Sequence, residues 1–152
     1  MKLTKTNYII SRECGKNAWI KIHKPEIYYT SKLSDFEKHI IETGNEVELV
    51  ARQLFPDGVL IEGRDEAARK LTQEYIAKRQ PALFQPVFFK DGFFAAVDVL
   101  KFNEKTNSYE IYEIKASNEA DKKQHYYDLA FQVNLLRKCG LKIDVINLMH
   151  LN

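Results

Sequence analysis

Two β-rich segments constrain this chain most. FFAAVDVLKF (93–102) and YEIYEIKAS (109–117) are joined by the turn-like NEKTNS. Each carries charge inside an apolar run: Asp98 in the first, Glu113 and Lys115 on either side of Ile114 in the second. Charges in such strands are costly to bury unless they are paired or bind a metal. Fourteen residues separate Asp98 from Glu113 and form one hairpin connection. Antiparallel pairing therefore brings the two carboxylates near each other. Adjacent carboxylates repel unless a proton or cation joins them. Two acids and a lysine in one place suggest a divalent-metal site with a cationic helper, since Mg²⁺ prefers one or two carboxylates plus waters and phosphate oxygens.

Each residue also has a plainer reading. On a period of two, Asp98 shares a face with Phe94, Ala96 and Leu100 and could simply meet a cation on a neighbouring strand. Glu113 and Lys115 share a face and could form a solvated ladder of opposite charges. Glu48, four residues after Gly44, borders an apolar stripe; it fits either an i,i+4 pair with Arg52 or an extra acid at the metal site. Glu46 points further toward the polar face. Gln132 sits on the apolar stripe of its helix, where an amide needs partners; it reaches either Asp128 one turn back or the site. Lys122-Lys123-Gln124-His125-Tyr126-Tyr127 mixes cations with aromatics. It fits a solvated helix start, or backbone and base contacts on a single strand.

The surrounding pattern is α/β. Thr4 or Thr6 caps a first helix through Tyr8 to Arg12, and a second helix, Lys16 to His23, stops at Pro25. Ser34 to Phe55 is the longest helix, with Phe36, Ile40, Val47, Ala51 and Leu54 at helical spacing. Val59 to Ile61 is a short strand, and Asp65 opens a helix over Glu66 to Lys78. Three strands follow, Ala82 to Phe89, Phe93 to Phe102 and Tyr109 to Ala116, with Asp91-Gly92 a strong hairpin signal. Asp121 to Lys138 is helical, Gly140 ends it, and Lys142 to Leu151 is a last strand. The order predicts an α/β sandwich on a small mixed sheet flanked by helices.

Composition narrows the partners. The 152 residues suit one domain, and 45% hydrophobic residues supply one core. With 23 Lys+Arg against 21 Asp+Glu, nucleic-acid binding has to come from a local patch. Cys14 and Cys139 are too far apart for a CxxC motif, and MKLTKTNYII has no apolar signal-peptide core. No apolar run approaches a membrane span. The expectation is a cytoplasmic chain with no membrane partner. The four histidines show no HExxH spacing, and no GxSxG, complete phosphate-binding loop or strand-following GxGxxG is present.

Taken together, these motifs resemble the PD-(D/E)xK nuclease superfamily, in its RecB-like and CRISPR-associated exonuclease branch. LTKTNYIISRECGKNAWIKIHKP is similar to that branch's start, and GNEVELVARQLFPDGVLI to its first nuclease motif. AAVDVL, YEIYEIKAS and YYDLAFQVNLLRKCGL are similar to the remaining motifs, in order. The resemblance implies a restriction-endonuclease-like core over 31–152 behind an N-terminal helical segment over 1–30, the whole forming a single domain. It implies that Asp98 and Glu113 hold Mg²⁺ or Mn²⁺, with the Ile114 carbonyl as a further ligand. Lys115 would orient or activate the attacking water. Glu48 would complete the metal shell, with Glu46 as the alternative. Gln132 would orient the lysine or the scissile phosphate. The implied partner is DNA, single-stranded or at ends, cut to 5′-phosphate products.

Three departures qualify the resemblance. Iron–sulfur members of the branch pair the early cysteine with three late ones, whereas only Cys139 follows here, in the last helix; no such cluster is expected. Gln85 stands where relatives often carry an acid. Leu136 stands where the glutamine-to-tyrosine pattern expects tyrosine. The chain stops right after its last strand, which fits either a minimal domain or a piece of a larger protein with further domains or partners. The rival reading is an inactive nuclease-fold module that binds nucleic acid or a protein.

Overall fold

The computed structural model describes residues 2–28, 34–118 and 124–151. In chain order the elements are β1 (Leu3–Thr4), α1 (Lys5–Glu13), α2 (Gly15–His23), α3 (Pro25–Tyr28), α4 (Asp35–Arg52), β2 (Gly58–Leu60) and α5 (Glu66–Ala77). Then come β3 (Ala82–Phe84), β4 (Val87–Lys90), β5 (Phe93–Ala96), β6 (Val99–Asn103), β7 (Ser108–Lys115), α6 (Gln124–Lys138) and β8 (Ile143–His150). A five-stranded mixed sheet runs β2-β3-β6-β7-β8, and a three-stranded sheet runs β1-β5-β4. β7 and β8 are parallel, with α6 as the crossover between them, while β6 and β7 are antiparallel. Helices pack on these sheets: α4 on β7, α5 on β4, and α6 on β4, β5 and β8. The fold is α/β with mixed sheets and flanking helices.

Local chemistry accounts for most helix starts. The Thr4 hydroxyl accepts from Asn7 N at 3.2 Å, and the Asp65 carboxylate from Ala68 N at 3.0 Å. Ser34 and Glu37 form a reciprocal capping box at the start of α4. Pro25 stops α2 as expected but also opens α3, because proline lacks only an N–H that a first helical turn leaves unused. Asp91 (φ 50°) and Gly92 (φ 82°) both take the positive φ that a two-residue hairpin turn requires.

Two expectations need correction. The first concerns α4, which ends at Arg52 rather than Phe55 and whose apolar stripe is largely exposed: Ala51 is buried and Val47 half-buried, but Phe36, Ile40 and, just beyond the helix, Leu54 stand in solvent. The second concerns the hairpin. Its two long strands do not run through but break opposite each other, at Gln85-Pro86 and Val97-Asp98. Gln85 turns the chain with φ 54°, and Pro86 has no N–H to offer the ladder. Gln85 N donates to the Asp98 carbonyl and Val97 N to the Pro86 carbonyl, each at 3.1 Å, so the pairing spans the break. The halves then enter different sheets. Asp98 therefore lies at the junction of the sheets, and does not share one strand face with Phe94, Ala96 and Leu100. A smaller difference is at Cys139, which lies in the turn after α6 and is unbridged, like Cys14.

Ile61, Leu83, Leu100, Ile111, Leu135 and Leu136 are almost fully buried in the core. One polar side chain ties a helix to it. The fully buried Thr72 hydroxyl donates to the Ala68 carbonyl at 2.9 Å and accepts from Val87 N at 3.0 Å, joining α5 to β4. Thr72→Val keeps the shape but strands the Val87 N–H. It is expected to cost about 1–3 kcal/mol in urea unfolding. No helix among the described residues is long and apolar enough to cross a membrane.

Candidate active site

α6 presents a polar face as well as an apolar one. His125, Asp128 and Gln132 are buried at spacings of three and four residues, so they line one side of the helix. Gln132 is fully buried, and its amide nitrogen donates to Glu113 Oε2 at 2.6 Å and to Asp128 Oδ1 at 2.9 Å. Gln132 therefore meets Asp128 one turn back and Glu113 on β7 at once. Its contacts go to the carboxylates beside Lys115 rather than to the lysine. Its Oε1 is buried without a hydrogen-bond partner among the described residues.

The pairing of β6 with β7 sets the other half. Val99 faces Tyr112, which carries Asp98 alongside the next β7 residues. Asp98 Oδ2 accepts the Ile114 N–H at 2.8 Å. Glu113 is wholly buried, and its Oε1 takes two ammonium groups, Lys115 at 2.5 Å and Lys5 at 3.0 Å. Both lysines also face Asp128 Oδ2, at 3.2 and 3.6 Å respectively. The expected solvated ladder of Glu113 and Lys115 is thus a buried cluster.

Glu48 joins from α4. Its Oε1 accepts from Arg52 at 2.6 Å, as the i,i+4 spacing anticipates, and from the Gln85 amide at 2.5 Å. The same Gln85 nitrogen donates to Asp98 Oδ1 at 3.2 Å, and Arg64 donates to Gln85 Oε1 at 2.5 Å. Gln85 therefore bridges Glu48 and Asp98. An acid at this position would add charge between two carboxylates, whereas the amide supplies a donor to both. The left-handed backbone that carries it is uncommon for a residue with a side chain and clusters at functional sites in general.

Electrostatics follow from this crowding. Burial, and then the neighbouring Glu113, push the Asp98 carboxyl up to about 6, although Lys5 and the Ile114 N–H pull the other way. Burial also opposes charge on Glu113, but Lys5, Lys115 and the Gln132 amide outweigh it and hold that carboxyl down at about 2. Burial disfavours both ammonium groups, and Lys5 also repels Lys115, yet the facing carboxylates hold both lysines above the ordinary lysine value. Lys115 is therefore a cation in this state, a matter the residue types alone left open.

These shifts predict a pH profile. Asp98, raised from 3.8, contributes stability that is complete below pH 3.8 and lost as pH rises through about 6. Glu113, lowered from 4.5, contributes stability present above pH 4.5 and lost as pH falls through about 2. In EDTA the protein is expected to be most stable near pH 4 and to lose on the order of 1–2 kcal/mol by pH 7.5. Chemical denaturation across pH checks this, and Asp98→Asn should flatten the decline.

Asp98 and Glu113 are the two residues that would hold a divalent cation of open coordination, and each of their four oxygens already accepts a hydrogen bond. Asp98 and Glu113 are two neighbouring carboxylates whose mutual repulsion a cation relieves, and Mg²⁺ needs no more protein ligands than that. Among the described residues no three His, Cys, Asp or Glu side chains gather into a group that could hold a metal ion, so Glu48 does not complete a three-acid set with Asp98 and Glu113. Of the remaining candidates, Glu46 is exposed and borders a groove with Ile114 rather than the acid cluster. Tyr126 and Tyr127 are exposed on α6, while Lys122 and Lys123 lie outside the described residues. Lys5, Asp128 and Gln85 enter the cluster without having been picked out as site residues. Asp128 had a signal, being one turn before Gln132; Lys5 is 108 residues from Glu113 and had none. Comparisons with protein-family models, curated proteins and solved structures found no match, so the reading of this cluster rests on its own residues.

Proposed function

We propose that this chain is a metal-dependent deoxyribonuclease on a restriction-endonuclease-like core, of the RecB-like PD-(D/E)xK kind. One observation carries the reading. Asp98, just before β6, and Glu48 are bridged by Gln85, and they meet the Glu113, Lys115 and Gln132 group of β7 and α6 at the Ile114 N–H that Asp98 accepts. All of these but Gln85 are residues that the motif order singles out.

The reaction is phosphodiester hydrolysis. A water attacks phosphorus, the bond to the 3′ oxygen breaks, and that oxygen takes a proton, leaving a 3′-hydroxyl and a 5′-phosphate. Mg²⁺ or Mn²⁺ held by Asp98 and Glu113, with Glu48 nearby, would supply Lewis acidity and lower the pKa of water. Lys115 stabilises the negative charge that develops on the phosphoryl oxygens. Gln132 fixes Glu113 through its amide, so the carboxylate keeps one orientation. Asp128 and Glu113 hold the Lys115 ammonium at the site. Single strands and DNA ends are the proposed substrates.

A second reading draws on α4. Phe36, Val50 and Leu54 are 73%, 64% and 66% exposed, an apolar face of the sort that binds a protein. The chain would then be a nuclease-fold module used for binding. Cleavage of end-labelled single- and double-stranded DNA in Mn²⁺, Mg²⁺ or EDTA separates the two. Divalent-dependent cutting that is lost in Asp98→Ala is the expected result. No cutting by a folded wild type that binds Mn²⁺ would favour the binding module.

A further inference from the structure

A cleft of about 340 Å³ opens beside the cluster, between α1 and α6. Lys5, Thr6 and Ile10 line it from α1, Lys115 from β7, and His125 and Asp128 from α6. We propose that this cleft is a phosphate subsite for the nucleic-acid strand, with Lys5 as its second cationic contact beside Lys115. The inference rests on the nuclease reading.

Lys5 is more than Glu113 needs. Glu113 Oε2 already accepts the Gln132 amide, and Oε1 already accepts Lys115 at 2.5 Å. Lys5 adds a second ammonium to that same oxygen, and the two cations repel each other. Two lysines that share both Glu113 Oε1 and Asp128 Oδ2 set two ammonium groups against one wall of the cleft, balanced by those two carboxylates. Both side chains remain about a quarter exposed, at 26% and 25%, and both line the cleft. The backbone adds to this. Lys5 and Thr6 open α1, a nine-residue helix with no acid in its first turn, where helix N–H groups favour an anion. Glu13 also lines the cleft, but stands two turns further along the helix. A divalent ion that takes Glu113 as a ligand would compete with both ammonium groups for Oε1.

Three measurements test this on the full chain. The first is binding of a short fluorescent single strand in Ca²⁺ over a range of salt, for wild type and Lys5→Met. The variant keeps the apolar stem. It should bind about tenfold more weakly, with the slope of log K on log salt shallower by about 0.7, one lost phosphate contact. The second is titration with Mn²⁺ alone. Lys5→Met should bind the ion several-fold more tightly, because a competing cation is gone. The third is amine acylation of the wild-type protein read by mass spectrometry, which needs no variant. The oligonucleotide should protect Lys5 and Lys115 together. Unchanged slope and affinity in Lys5→Met, or no protection of Lys5 by bound DNA, would overturn the subsite and leave Lys5 as an anchor of α1. A wild type that cuts DNA with Lys5→Met equal to it would sink this inference alone. A wild type that neither binds nor cuts would sink the nuclease reading with it.

Discussion

Lys115→Ala is expected to lower DNA cleavage by about 10²–10³-fold, the usual cost of removing one preorganised charge from a developing anion. Melting temperature should stay near that of the wild type. The reason lies in the shared pairing: with Lys115 gone, Glu113 Oε1 keeps Lys5 at 3.0 Å and Oε2 keeps Gln132 at 2.6 Å. The buried carboxylate therefore retains a cation and a donor. Single-turnover rates at saturating Mn²⁺ check the chemistry, and thermal unfolding checks the fold. Lys115→Arg should recover little, because a planar guanidinium cannot replace a compact ammonium between two carboxylates. Full activity in Lys115→Ala would remove the lysine from the mechanism.

Glu113→Ala should be the most damaging single change, in stability as well as activity. It strips a partner from Lys5, Lys115 and Gln132 at once, and no water reaches a site of zero exposure easily. Breaking a buried pair from one side costs about 3–5 kcal/mol, and the partial exposure of both lysines sets the expectation toward the lower figure. Urea unfolding in EDTA measures this, and calorimetric titration with Mn²⁺ should show binding lost as well. Glu113→Gln gives the control: it restores shape and an acceptor, so it should regain part of the stability but none of the ion affinity. If Glu113→Ala were as stable as the wild type, the cluster would not be the buried, mutually dependent network described above.

Much of the cluster was legible because its parts have short-range signatures. Asp98, Glu113 and Lys115 announce themselves as charges inside apolar strands, and Glu48 and Gln132 as polar residues on apolar helix stripes. In both helices the local and the distant partner turned out to coexist. Glu48 pairs with Arg52 and meets Gln85; Gln132 meets both Asp128 and Glu113. Lys5 was illegible for the opposite reason. A lysine at the first turn of a surface-type helix looks like any solvated charge, and only the packing of α1 on α6 brings it over Glu113. Gln85 stood out as a missing acid, but its donor role between Glu48 and Asp98 depends on a backbone reversal that no residue pattern announced.

The sequence by itself determined most caps and turns, the order of the longer helices and strands, and the strand that carries Glu113 and Lys115. Those follow from interactions within a few residues: hydroxyl and carboxylate caps, glycine at positive φ, apolar spacing. Tertiary structure alone decided that the long hairpin breaks at Gln85-Pro86 and feeds two sheets, that the α4 stripe stays largely in solvent, and that two lysines share one carboxylate. Each depends on groups far apart in the chain meeting across a sheet or between helices, and burial there sets both the strength of their charges and which partners they can keep.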